Sequence, residues 1–177
     1  MFRGSKKQEP KREEVFDVDQ EHGTIARKRD GIRVLALGSR GWATIERELA
    51  TTFITGAAVI FQRIGYSYGR ALGRVAKNLE MGPEETFDAI YAFAVEGGWG
   101  QFNLSSGNLA EGRAGITVKE CFFCLHAAEA TEPVCHVLVG LITGIADEMI
   151  GKSHRATEQK CIGKGDNVCE VLVESVA

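Results

Sequence analysis

Five cysteines and one glutamate carry most of the chemistry legible in this 177-residue sequence. Cys161 and Cys169 flank Gly163-Lys164-Gly165-Asp166, a run with hairpin-turn chemistry, so closing that turn brings two thiols together from opposing strands. Cys135 follows Pro133 in the first turn of an expected helix, where the positive dipole end favours the thiolate, the form that binds metal. Three thiolates and a carboxylate are accepted ligands of tetrahedral zinc, and Glu158 is the nearest candidate carboxylate. Because Glu158 and Cys161 are three apart, they would point to opposite faces of a regular strand. A shared ion therefore requires a bulge or a strand end between them. Free cysteine is also among the most buried residue types, so spacing alone suits three core thiols as well as it suits a metal site.

A rival pair is Cys121-Phe122-Phe123-Cys124, with the two-residue spacing of zinc knuckles and redox motifs. On a strand expected from Gly115 to Leu125 the two thiols would face opposite sides, and a redox pair calls for the start of a helix, so this pair reads as core packing. The histidines His22, His126, His136 and His154 form no helical His-x-x-x-His pair, and His136, about 100° round the helix from Cys135, reads as a pocket or surface residue. No dinucleotide fingerprint, phosphate loop or nucleophile elbow is present. Nucleotide-dependent and hydrolytic chemistry have no foothold in these motifs.

The elements that must position the cysteines follow from periodicity and turn residues. Residues 1–22 are charged and poor in apolar partners, and read as a mobile tail; 23–177 read as one domain. Asp30-Gly31 suits a tight turn between two short strands. Helices are expected from Ser39 or Arg40 to about Thr55, from Ala57 to Leu79, from Pro83 to Val95 and from Pro133 to Ile150, the last stopped by Gly151. Gly65, Gly69 and Gly73 line one face of the second helix, which marks either a tight helix crossing or a groove for a flat ligand. Two or three antiparallel strands are expected in the middle of the chain, and two more at Ser153–Cys161 and Asn167–Ser175. The fold class is α+β.

Composition narrows the role. A net charge of −3 gives no broad field for nucleic acid. No run of eighteen uncharged apolar residues and no signal-peptide pattern is visible, which points to a cytoplasmic protein with reduced thiols and no membrane insertion.

The run Glu132-Pro133-Val134-Cys135, the glycines Gly140 and Gly144, then Glu158-Gln159-Lys160-Cys161, Gly165-Asp166 and Cys169 resembles the 4-vinyl-reductase domain, most specifically over residues 115–175. Within that family, the phenol-sensing domains of bacterial transcriptional activators hold zinc through a helix cysteine, a glutamate three before a second cysteine, and a cysteine eight beyond it. The resemblance implies the same role for Cys135, Glu158, Cys161 and Cys169. It also implies dimers, and an antiparallel sheet with helices enclosing an apolar pocket, as in haem-nitric-oxide-binding and Golgi vesicle-tethering domains.

Three roles follow. The first is a sensor domain with a structural zinc, binding a hydrophobic or aromatic molecule in a pocket lined by Phe61, Tyr68, Phe93, Trp99, Phe102, Phe122 and Phe123. The second, implied by the family's name, is a tetrapyrrole-binding protein or vinyl reductase in chlorophyll-type biosynthesis, for which the sequence supplies no hydride donor. The third is a dimeric scaffold for a separate regulator protein.

Overall fold

The structure, a computed structural model, describes residues 15–108, 111–127 and 130–176. The polypeptide forms two compact units, one ending at Gly38 and one running from Ser39.

In the first unit, β1 (Phe16–Asp19) pairs antiparallel with β2 (Thr24–Arg27), Phe16 lying opposite Arg27. Gly23, at φ 63°, serves the turn between them. The hairpin expected around Asp30-Gly31 shrinks to a single bridge between Ala26 and Arg33, because Arg27 and Asp30 pair through their side chains and β2 takes β1 as its partner. Strand β1 thus occupies part of the stretch read as a tail, whose first fourteen residues lie outside the described ones.

In the second unit, four helices and a four-stranded antiparallel sheet follow the expected order among the described residues. The helices are α1 (Ser39–Phe53), α2 (Ala57–Asn78), α3 (Pro83–Glu96) and α4 (His136–Ile150). The strands β3 (Gln101–Asn108), β4 (Arg113–Lys119), β5 (His154–Lys160) and β6 (Cys169–Ser175) lie in the order β3-β4-β6-β5. One face of the sheet buries Ile116, Val118, Val171 and Val173 in a core that Leu138 and Ile142 of α4 share. Glu85 accepts the Gly82 N–H at the start of α3, 3.2 Å away, and Gly151 ends α4 in the left-handed region at φ 72°. No helix among the described residues is long and apolar enough to cross a membrane.

Two expectations change. The strand placed at 115–125 stops at Lys119, where Glu120 adopts φ 51° and turns the chain into a 3₁₀ turn at Phe122–Cys124. Helix α4 begins at His136, so Cys135 is its N-cap and not part of its first turn.

The glycines of α2 settle into a helix crossing. A Cβ built on Gly65 or Gly69 would collide with the carbonyl oxygens of Val137 or Leu141 on α4. One on Gly140 or Gly144 would collide with those of Gln62 or Tyr66 on α2. Around the crossing, the Tyr66 hydroxyl donates to Asp147 at 3.0 Å and Arg70 donates to Glu148 at 2.8 Å.

In an ordinary helix interior, glycine to alanine stabilises by roughly 1 kcal/mol. Here the added methyl meets backbone that cannot rotate away. Gly69→Ala and Gly140→Ala are each expected to destabilise by about 3 kcal/mol and to lower Tm by roughly 6–12 °C. Gly38→Ala, with nothing within 4 Å of its Cβ, should leave the melt nearly unchanged. Unchanged melting of both crossing variants would refute the contact.

Candidate metal centre

Four segments deliver sulfur to one place. Cys121 and Cys124 come from the 3₁₀ turn after β4, Cys135 from the N-cap of α4, Cys161 from the end of β5, and Cys169 from the start of β6. All five are free thiols and nearly inaccessible to solvent. The Cys135 sulfur lies 3.7 Å from Cys121, 3.6 Å from Cys169 and 3.9 Å from Cys161, and Cys124 lies 3.4 Å from Cys169.

Glu158 joins this cluster, with one donor atom each from Cys135, Glu158, Cys161 and Cys169 lying within 4.8 Å of one another. The geometric condition set by the sequence is met, since the β5–β6 register shifts between Glu158 and Lys160. Glu158 Oε2 accepts the Cys135 N–H at 2.9 Å, while Oε1 is buried with no hydrogen-bond partner. Burial, reinforced by the neighbouring Cys161, pushes the Glu158 carboxyl up to about 8.

The Ile162 N–H donates to the Cys169 sulfur at 3.4 Å, and the Asp166 carboxylate accepts the Cys161 N–H at 2.8 Å, holding the turn. Hydrogen bonding among the thiols drives Cys124 down, foremost through Cys121, and drives Cys135 up, foremost through its own contact with Cys121.

The residues fit a thiophilic cation on two observations. Bonds of about 2.3 Å from zinc to sulfur set neighbouring sulfurs about 3.8 Å apart in a tetrahedron, close to the separations found here. The buried Glu158 Oε1, which nothing else satisfies, is the kind of atom that a cation satisfies.

Cys121 and Cys124, read from the sequence as core residues on opposite faces of a strand, sit inside the cluster with their thiols against its sulfurs. The missing signal was Glu120, whose left-handed backbone ends the strand and lets both thiols turn inward. His136 lines an open groove with Pro133, Val139, Thr143 and Glu158, and burial lowers its pKa.

The aromatic residues named from the sequence separate. Phe102 alone lines an enclosed apolar cavity of about 40 Å³ between α3, β3, β4 and α4. Trp99 packs on Tyr68, Phe93 and Phe123, and Trp42, which sequence reasoning missed, packs on Phe61, Phe122 and Phe123, with ring centroids 5.2–6.1 Å apart. These rings fill space as a cluster, and the cavity walls come instead from aliphatic side chains such as Ile142, Ile145 and Met149. Next to the cluster, burial and the nearby Cys124 raise the Glu46 carboxyl to about 7.

Fold and donor set together define a small α+β domain with a buried thiol-carboxylate centre. Residues 115–175 match the family model of the 4-vinyl-reductase domain, which shows the resemblance read from the sequence for this stretch. An uncharacterized protein of Methanocaldococcus jannaschii is 36% identical over 59 residues, 33% of this chain and 34% of that protein, so the chain matches about a third of that relative's length.

The phenol-responsive sensory domain of the transcription activator PoxR, solved with phenol, superposes with a TM-score of 0.75 at 20% identity, over 91% of this chain and 85% of that one. A vinyl-4-reductase family protein from Methanocaldococcus jannaschii gives 0.59 at 13% identity, over 81% and 85%. The expected wider fold is borne out as well. A trafficking protein particle complex subunit 3 from Naegleria fowleri, bound covalently to palmitic acid, gives 0.56 at 18% identity over 78% and 95%, and an H-NOX protein from S. oneidensis gives 0.52 at 11% over 85% and 84%.

A cation held by Cys135, Glu158, Cys161 and Cys169 ties three segments together, the start of α4, the end of β5 and the start of β6. Stripping metal with a chelator is expected to lower Tm by roughly 8–16 °C, the equivalent of about 4 kcal/mol for a ligand held a thousandfold above its Kd. Cys135→Ser and Cys169→Ser should reproduce the loss without chelator, together with loss of bound metal by elemental mass spectrometry. A metal-free wild type whose melt ignores chelator would count against any metal at this centre.

Proposed function

We propose that this chain is a cytoplasmic sensor-type domain that takes a small hydrophobic or aromatic molecule into its apolar interior, braced by a structural zinc at Cys135, Glu158, Cys161 and Cys169. The observation that carries the reading is the cavity walled by Phe87, Ile90, Phe102, Ile116, Ile142 and Met149, in a fold like that of a phenol-responsive domain. Four protein donors close the coordination sphere of zinc and leave no position for water or substrate, which fits a brace and not a catalyst.

The size of the cavity bears on the occupant. About 40 Å³ holds a water-sized guest, whereas an engineered cavity of about 150 Å³ admits benzene. Ligand entry therefore requires one wall to yield. Helix α3 is the wall able to do so, since Thr86 and Ala94 are its buried residues among those described, while α4 is buried along most of its length.

We also place a second copy of the chain among the partners, with output passing to a separate regulator protein. Ile64 and Val75, with Leu79 at the C-cap, recur along one side of α2 and remain exposed, an apolar stripe suited to self-association. Light scattering should give twice the chain mass, reverting towards a monomer in Ile64→Glu/Val75→Glu.

Calorimetric titration with phenol and with decanoate tests the sensor reading. Saturable binding of at least one is expected, and Ile145→Phe, which fills the cavity at a cost of about 1–3 kcal/mol of stability, should abolish it. Absence of binding to both, or a Soret band in the purified protein, would overturn the reading in favour of a tetrapyrrole role or a plain scaffold.

A further inference from the structure

The sulfur cluster contains more donors than one tetrahedral ion can use. Cys121, Cys124, Cys135 and Cys169 form a second set of four whose sulfurs lie within 4.8 Å of one another, overlapping the first set at Cys135 and Cys169. We propose that the core holds two zinc ions in tetrahedral sites that share the Cys135 and Cys169 sulfurs as bridges. Glu158 and Cys161 complete one site and Cys121 and Cys124 complete the other. The inference rests on the metal reading above and extends it to a second ion.

Ligand counting supports this arrangement. Two four-coordinate ions require eight ligand positions, and five thiolates plus one carboxylate supply them when two of the thiolates bridge. Cys135 touches both Cys121 and Cys161, Cys169 touches Cys124, and the two bridging sulfurs are 3.6 Å apart, one tetrahedral edge.

Charge follows the same logic. One dication held by three thiolates and a carboxylate carries −2. A second dication bound by two further thiolates adds +2 and −2, and the centre again carries −2. The second ion therefore adds no net charge to a buried site, and it replaces weak S–H contacts with metal–sulfur bonds. The N-terminus of α4 begins at Cys135, so its dipole faces the bridging region. Glu158 also borders the open groove by His136, which gives ions a route to the centre from solvent.

Elemental mass spectrometry on zinc-supplied protein should find two zinc ions per wild-type chain. One should remain in Cys121→Ser/Cys124→Ser, which keeps the first donor set, and one in Cys161→Ser, which keeps the second. Titrating metal-depleted wild type with Co(II) provides a measurement independent of how the variants fold. Sulfur-to-cobalt charge-transfer absorption should rise to two equivalents, and the Co(II) electron paramagnetic resonance signal per ion should fall as the second ion couples through the bridging thiolates.

One zinc per chain, unaffected by Cys121→Ser/Cys124→Ser and lost in Cys161→Ser, would overturn the second site and leave the structural zinc intact. One zinc lost in Cys121→Ser/Cys124→Ser and kept in Cys161→Ser would overturn both assignments, as would a metal-free wild type. Saturation at one cobalt equivalent overturns the pair.

Discussion

The contact on which the second unit depends is the crossing of α2 and α4, where backbone meets backbone. Gly65 and Gly69 face the carbonyls of Val137 and Leu141, and Gly140 and Gly144 face those of Gln62 and Tyr66. Removing side chains from both partners fixes the helices in rotation and in axial position together, because each glycine notch accepts one carbonyl and no other. The position of α4 then fixes its N-cap, Cys135, from which the metal centre is built. A crossing cushioned by leucines would tolerate sliding by several tenths of an ångström. Thiols that must meet at 3.6–3.9 Å would not survive it.

The centre itself is a problem of burial. Five thiols and a carboxylate removed from water gain little from one another, since S–H contacts are weak and Glu158 Oε1 has no partner. The cluster joins the end of β5, the start of β6, the turn after β4 and the start of α4, so a cation on either donor set closes three of these chain segments at once. That is what separates this cluster from ordinary core cysteines, which pack among aliphatic side chains and need no counter-ion.

Much of this was legible in the sequence, for physical reasons that differ by residue. The glycine spacing on α2 announced a close approach, while leaving open whether a helix or a flat ligand makes it. The offset between Glu158 and Cys161 demanded a bulge, and the β5–β6 register supplies one. The Cys161–Cys169 turn was readable because glycine and aspartate specify it locally. Cys121 and Cys124 were not readable as part of the cluster, since the break after β4 depends on a left-handed Glu120 that no local propensity signals. Of the aromatic residues read as pocket lining, Phe102 alone borders the cavity, for a related reason. Aromatic residues stand out in a sequence as pocket candidates, yet ring–ring contacts among Trp42, Phe61, Trp99 and Phe123 consume the space they would have lined. Strand β1 lies in a charged segment whose pairing partner, β2, supplies what its own composition lacks.

Helix α4 connects the two halves of the proposed function. Its N-cap supplies a thiol of the cluster, its middle carries the glycine notches, and its C-terminal half forms a wall of the cavity through Ile142, Ile145 and Met149. On the sensor reading, an element braced at one end by a metal and held along its length by backbone contact stays in place when a guest expands the cavity. The sheet wall, Phe102 and Ile116, is held by ladder hydrogen bonds on β3 and β4. The displacement therefore falls on α3, which contributes Phe87 and Ile90 to the cavity and exposes Tyr91 and Val95 on its outer side. On the sensor reading, the rigid metal-braced helix converts occupancy of the cavity into motion of one defined surface element, and that surface is where a separate regulator would detect the ligand.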